Sequence, residues 1–365
     1  YDESGWCKQK YAFAGSVGLA GDLARRAWGQ VFTRPAEDLA PARLAPGRLV
    51  RDAGLLARAH GCLLGQVAGD SLGSLVEFQN AAEVAGRYAD GPRELADGGT
   101  WNTLAGQPTD DSEMALALAR AIAGIGAYDP QAVLAAYREW FDSGPFDIGQ
   151  TTRGALTGRP NPGSQANGSL MRVSPLAVFA HARPPVEVAG LARLDAGLTH
   201  PHPACGDATA AFAVAVAHAV SHGAGARAAW LAALDWARTA SAHGPVLEAL
   251  ERAESAAPAC DGANQGWVLI ALQNAFFELL HAGSLEQGVV RTVRRGGDTD
   301  TNAAIAGALL GAVHGRDAVP GQWRRAVLSC RSHPSRTSRA RPWVYWPTDV
   351  LELAELLLLA GRGEA

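Results

Sequence analysis

Residues 294–315, RRGGDTDTNAAIAGALLGAVHG, decide how this chain is read. Two glycines and four carboxylate or hydroxyl side chains, Asp298 to Thr301, stand directly before a run of Ala, Gly, Leu and Ile. The spacing predicts a small-residue helix over 302–314 that can sit deep in a bundle and hold the acidic tip rigid. Asp298 and Asp300 alternate with Thr299 and Thr301, so an extended or turning backbone points both carboxylates the same way. Hard oxygen donors of this kind suit Mg, Mn or Ca. The competing reading is a plain helix cap by Asp300 or Thr301. One cap needs one such residue, and here four follow the glycine pair.

The same pattern recurs earlier. PTDDSEM, 108–114, places Thr109, Asp110 and Asp111 at the mouth of a helix expected over 112–125. Two acidic mouths that met without a cation would repel each other, and a pair of divalent ions would resolve that repulsion. Asp70 and Glu77 form a third acidic cluster at the end of the first core helix. Glu77 lies between Val76 and Phe78, which suits a carboxylate held against an apolar wall, or a capping or ion-paired surface residue. NGSLMR, 167–172, reads as a turn into a helix over 170–180. Its backbone N–H groups at Asn167, Gly168 and Ser169 could receive phosphate oxygens, while Arg172 suits either the site or solvent. In THPHP, 199–203, His200 and His202 lack a third nitrogen ligand, so a positioning or hydrogen-bonding role fits better than metal binding. His218 and His222, one turn apart on a helix, read as core or surface residues.

From Asp52 onward helical texture dominates and strand signals are scarce, so the fold class is all-α. Helices are expected over 54–68 running on toward 78, then over 130–141, 185–197, 203–222, 226–239, 245–254, 264–281, 285–293, 320–328 and 349–361. Asp129 and Pro130 supply the start of the second of these. Residues 80–108 and 159–168 read as loops. Pro35, Pro41 and Pro46 break the first fifty residues, which read as an extension carrying one short helix over 12–28.

Composition narrows the function. With 32 basic and 36 acidic residues the net charge is -4, which gives no bulk attraction to nucleic acid, although local arginines could still serve a small acidic substrate. The five cysteines, Cys7, Cys62, Cys205, Cys260 and Cys330, lack metal-ligand spacing and fit a reducing, cytoplasmic compartment. The best uninterrupted apolar run, 210–217, is too short for a membrane span. No dinucleotide fingerprint, phosphate-loop Gly-Lys-Ser/Thr or GxSxG elbow occurs.

Taken together, GDSLGSLVEF (69–78), PTDDSEMALALA (108–119), NGSLMRVSPLAVF (167–179), THPH (199–202) and GGDTDTNAAIAGALLGA (296–312) resemble the ADP-ribosylglycohydrolase family, in matching order, over about 52–361. That family includes the dinitrogenase-reductase-activating glycohydrolases and the ADP-ribosylhydrolases of the ARH type. The resemblance implies a single-domain orthogonal bundle of helices over 51–365, preceded by the extension 1–50, with two Mg2+ or Mn2+ ions at its centre. Thr109, Asp110 and Asp111 match its first ligand motif, and Asp298, Asp300 and Thr301 match the second. Glu77 matches an acidic residue that contacts metal and assists the chemistry. Gly168 and Ser169, in the turn begun by Asn167, match a diphosphate cradle, and His200 matches a residue near the substrate. The implied reaction is hydrolysis at ribose C1″, with Glu77, Asp110 and Asp298 as the catalytic carboxylates. It releases ADP-ribose from a protein side chain, a small molecule or a nucleic acid, and a monomer without membrane attachment is expected. The alternatives are a non-catalytic module that binds ADP-ribose or nucleotides, and a structural descendant. The complete metal motif weighs against the second.

Overall fold

Glycines at 61, 65, 69 and 73 recur every fourth residue and therefore share one face of a helix. In the computed structural model, which describes Leu44 and residues 49–363 apart from 241, that face meets a second small-residue helix backbone to backbone. The first helix, α1, is Ala53–Gly73, and its partner, α13, is Thr299–His314. A Cβ placed on Gly61 would lie 2.3 Å from the carbonyl oxygen of Gly311. On Gly65 it would lie 2.3 Å from that of Gly307, on Gly69 2.1 Å from that of Ala303, and on Gly73 2.3 Å from that of Thr299. The pairing is antiparallel and leaves no room for a side chain between the two backbones. Thr299 Oγ1 donates to Gly73 O at 2.7 Å and closes the register at one end. The last turn of α1 is thereby set beside the first turn of α13, where the acidic residues are.

Thirteen further α-helices among the described residues surround this pair, and none of those residues forms a strand. In chain order they are α2 (Ala81–Arg87), α3 (Asp110–Ile125), α4 (Pro130–Asp142), α5 (Gln150–Leu156), α6 (Ser174–Phe179), α7 (Pro185–Gly197) and α8 (Pro203–His222). After them come α9 (Ala226–Thr239), α10 (Gly244–Arg252), α11 (Val268–His281), α12 (Leu285–Arg294), α14 (Gly321–Ser329) and α15 (Val350–Gly361). The all-α class is therefore observed. Helix α8 is long and apolar enough to cross a membrane by length and composition, which the short run 210–217 does not convey. It lies largely buried in the core instead, against α7, α9 and α13.

Several local expectations are corrected. The helix expected over 170–180 starts only at Ser174, because Pro175 has no N–H to give a preceding turn and belongs in the first turn of a helix. A single 3-10 turn, Asn167–Ser169, precedes it. The segment 80–108 contains α2, which Asn80 and Glu83 start as a reciprocal capping box. Helix α5 falls between the helix expected over 130–141 and the loop expected over 159–168, where the sequence pattern predicts no helix. Residues 264–267 do not begin α11 but pair with 165–167: Val268 N donates to Gln165 O at 2.9 Å and Asn167 N to Gly266 O at 3.1 Å.

The basic tract 331–345 is tied to the body by buried ion pairs. Arg341 Nε donates to Glu113 Oε1 at 2.8 Å, and Arg120 donates to Val344 O at 2.7 Å while holding Asp349, just beyond the tract, with two hydrogen bonds of 2.8 and 2.9 Å. At the other end Val50 is buried and its amide donates to Glu355 at 2.8 Å. The helix expected over 12–28 and the rest of the extension apart from Leu44, Leu49 and Val50, with Cys7, lie outside the described residues. The described cysteines, Cys62, Cys205, Cys260 and Cys330, are all buried and free.

Candidate metal centre and substrate pocket

Gly296 and Gly297 have φ of +69° and +79°, a left-handed backbone that side-chain-bearing residues avoid. This conformation turns the chain from α12 into α13 and brings it against the segment that follows α1. Gly297 N donates to Gln79 O at 2.7 Å, and Phe78 N donates to Gly297 O at 2.8 Å. A Cβ on Gly297 would sit 2.0 Å from Cys260 O. The clamp, together with the α1–α13 register, delivers Glu77 to Asp298 and Asp300. One carboxylate oxygen from each of these three residues lies within 4.8 Å of the others.

The N-cap residues themselves do not cap with their side chains, although Asp300 Oδ1 accepts from Thr301 N at 2.9 Å within the first turn. Asp298 occupies the N-cap position of α13 and Thr109 that of α3, yet neither makes a side-chain capping bond. Asp70, on α1, caps α3 from outside. It accepts from Thr109 N at 3.1 Å, Ser112 N at 3.1 Å and Thr109 Oγ1 at 2.8 Å. Asp110 and Asp111 are thus released from capping. Because α13 begins at Thr299, Asp298 and Asp300 converge as N-cap and first-turn residues of a helix, not through the alternation of an extended strand. Glu77 lies against no purely apolar wall, since Trp101 Nε1 donates to its Oε2.

A pocket of about 280 Å3 opens onto this cluster. Glu77, Asp110, Asp298, Asp300 and Thr301 line it, together with Asn167, Gly168 and His200. Thr109, Asp111 and Ser169 do not line it. Thr109 Oγ1 lies 2.8 Å from both Asp70 and Asp111, and Ser169 Oγ lies 3.1 Å from Thr209 Oγ1 in the core. The side chain of Asn167 is committed to Asp298, donating to Oδ2 at 2.7 Å, so it positions a carboxylate of the cluster. No helix N-terminus opens at Gly168, because α6 starts five residues later than the turn's end. His202 caps α8 through Nδ1, and Arg172, which the sequence leaves free to face solvent, is fully buried.

Asp147 is the pocket residue that sequence reasoning missed. A single aspartate in PFDIG carries no motif, and only the fold turns it toward Asp110 and Glu77. Burial and the nearby charge of Glu77 push its carboxyl up to about 8. Burial, then Asp298, pushes Glu77 up to about 7, and burial raises Asp110, Asp111, Asp298 and Asp300 as well.

The donor set fits a hard divalent cation. It is all oxygen, its charges oppose one another, and Asp111 Oδ1 is buried without a hydrogen-bond partner. Mg2+ or Mn2+ is therefore expected to stabilise the protein increasingly as pH rises. The sign follows from the raised carboxyls. In the metal-free fold they keep protons that the unfolded chain releases near pH 4, so their contribution to stability is lost as pH climbs through about 7 to 8. A cation replaces those protons. At about a hundred times its dissociation constant it adds about 2.7 kcal/mol. Thermal unfolding with EDTA or with Mn2+ at about pH 5.5 and pH 8 checks this. An equal metal-induced shift at both values, or none at either, contradicts it.

The chain is similar to known proteins. The family model described as ADP-ribosylglycohydrolase matches residues 51–363. The ADP-ribosyl-[dinitrogen reductase] glycohydrolase of Rhodospirillum rubrum is 31% identical over 277 residues, spanning 73% of this chain and 88% of that one. The ADP-ribosylarginine hydrolase Tri1 of Pseudomonas putida is 26% identical over 290 residues, 74% of each chain. A solved structure titled ADP-ribosylglycohydrolase-related protein complex superposes with a TM-score of 0.68 at 28% identity, covering 86% of this chain and 99% of that one.

Proposed function

The chain belongs to the ADP-ribosylglycohydrolase family, and from that membership and the acidic pocket we propose that it hydrolyses the glycosidic bond between ADP-ribose and a protein side chain. The observation that carries this reading is the convergence of Glu77, Asp298 and Asp300 at one pocket that Gly168 and His200 also line. Carboxylates and a cation suit an anomeric centre, and a neutral N–H donor suits a phosphate oxygen. Two relatives are named for ADP-ribosyl groups on dinitrogen reductase and on arginine, which supports a side-chain acceptor, arginine first.

The volume favours partial burial of the substrate. About 280 Å3 is at the small end for a ligand pocket, so it takes the distal ribose and its phosphates and leaves the adenosine at the rim. Two large aromatics are exposed there. Phe78 lines the mouth in a left-handed backbone, and Trp267 follows Gly266, whose Cβ would lie 3.5 Å from Asp298. Either offers a face for stacking a base.

Two Mg2+ or Mn2+ ions held among Glu77, Asp110, Asp298, Asp300 and Thr301, with Thr109 and Asp111 behind them, would orient the ribose hydroxyls and stabilise charge at the reacting centre. The protein's own groups manage the protons. Trp101 donates to Glu77 Oε2 and so orients the carboxylate that takes a proton from the attacking water. Asp147, which lines the same pocket and whose carboxyl burial raises, is the group placed to give a proton to the departing acceptor atom. Water oxygen bonds to C1″ as the bond from C1″ to the acceptor breaks, and the two carboxyls end with exchanged protonation.

A matched panel of arginine-linked, serine-linked and nucleic-acid-linked ADP-ribose, assayed for ADP-ribose release with Mg2+ or Mn2+, tests this. Release from arginine-linked substrate is expected. E77Q should bind ADP-ribose yet turn over about 10²- to 10⁴-fold more slowly. Tight ADP-ribose binding with no release from any member would make the protein a binding module instead.

A further inference from the structure

Arg172 is buried completely and every arm of its guanidinium is engaged. Nε donates to Asp195 Oδ2 at 3.0 Å and one terminal nitrogen to Asp195 O at 2.9 Å. The other terminal nitrogen donates to Gly168 O at 3.2 Å and to Thr199 Oγ1 at 2.7 Å. Its flat face lies over Tyr137, 4.4 Å from the ring centre, and Tyr137 in turn donates to Asp195 Oδ1 at 2.8 Å. The group is therefore rigid, and it touches both the pocket turn at Gly168 and the residue before His200.

Thr199 Oγ1 is 2.8 Å from His200 Nδ1. The hydroxyl already accepts from Arg172, and its own hydrogen has one acceptor in reach among the described residues, that same Nδ1. A buried hydroxyl hydrogen is rarely left without an acceptor. Nδ1 must then be the bare nitrogen, and the ring carries its hydrogen on Nε2. That nitrogen has no protein partner among the described residues, and His200 lines the pocket. It reaches the wall because Gly168 has no side chain: a Cβ there would stand 2.9 Å from both Cε1 and Nε2 of His200.

We infer that Arg172 and Thr199 act as a relay that locks His200 in its Nε2–H form, presenting a fixed, neutral hydrogen-bond donor to an anionic oxygen of the substrate. This rests on the proposed placement of a substrate phosphate at the Gly168 end of the pocket. Arg172 and Thr199 are positioning residues, because neither lines the pocket. Burial and the charge of Arg172 hold the imidazole near a pKa of about 3, so the donor is the same across the neutral range. Asp195, the anion of this group, is committed to Arg172 and Tyr137.

The imidazole 15N spectrum of the free protein, with H200A identifying the signal, reads the tautomer directly. Wild type should show Nε2–H at His200 without titration down to about pH 5. T199V, which keeps the shape and removes the hydroxyl, should lose the single tautomer and bind ADP-ribose about tenfold more weakly by calorimetry with Mg2+ present. T199S should restore both. A wild-type ring bearing Nδ1–H, or one that titrates near pH 6, overturns the relay, as does T199V retaining Nε2–H or unchanged ADP-ribose affinity. Failure of wild type to bind ADP-ribose would count against the proposed function and leave the wild-type and T199V spectra to decide the tautomer.

Discussion

Replacing Asp300 by asparagine is expected to lower ADP-ribose release by at least about a thousandfold while leaving the protein folded. Asp300 is buried, shares a 4.8 Å cluster with Glu77 and Asp298, and accepts from Thr301 N at 2.9 Å through Oδ1, a bond that an asparagine oxygen keeps. The amide has nearly the same shape, so packing in α13 is kept and the loss is one of charge. D300N also removes one member of a group of mutually repelling carboxylates, so its metal-free form should melt no lower than wild type and gain less from Mn2+. This pairing of lost turnover with undiminished metal-free stability separates a ligand from a structural residue. Turnover within tenfold of wild type would remove Asp300 from the reaction. D110A and D298A should lose comparable activity, because Asp110 and Asp298 line the same pocket.

The second large effect is on stability and comes from a residue that carries no chemistry. Gly69→Ala places a Cβ about 2.1 Å from Ala303 O and 2.6 Å from Ala303 C, both backbone atoms of a buried helix. Neither can swing aside as a side-chain tip would, so α1 and α13 must separate along their length. The expected cost is about 3 kcal/mol or more, at the upper end for overpacking. Separation would also draw Glu77 away from Asp298, so activity should fall with stability. Gly86→Ala in α2 is the control, since a Cβ there has nothing within 4 Å and the helix should gain about 0.5 to 1 kcal/mol. Denaturant melts of the two variants test the contrast. A Gly69→Ala protein as stable as Gly86→Ala would mean that the helices do not need their close contact.

The exposed aromatics and the aspartate mouths differ in how far a single chain can announce them. Phe78 and Trp267 read locally as ordinary apolar residues, and their exposure beside the pocket is a property of the folded surface. The mouths at 109–111 and 298–301 could be read because several hard donors stand together in a row, more than any cap requires. Helices α7, α8 and α9 could be read to the residue for a similar reason. Proline in the first turn starts α7 and α8, glycine in a left-handed cap ends α8 at Gly223, and alanine and leucine fill what lies between.

What the sequence determined by itself were quantities carried by neighbours in the chain: helical periodicity, caps, and the clustering of Thr109, Asp110 and Asp111 and of Asp298, Asp300 and Thr301. What only the tertiary structure decided depends on residues far apart. Asp70 caps a helix whose start is Thr109, Trp101 holds Glu77, and Asn167 holds Asp298 across 131 positions. Asp147 becomes a raised carboxyl only when buried beside Glu77, and Arg172 reaches His200 only through Thr199. Burial and charge repulsion are properties of assembled surroundings. No window along the chain contains them, and the close contact of two glycine-lined helices is what assembles them here.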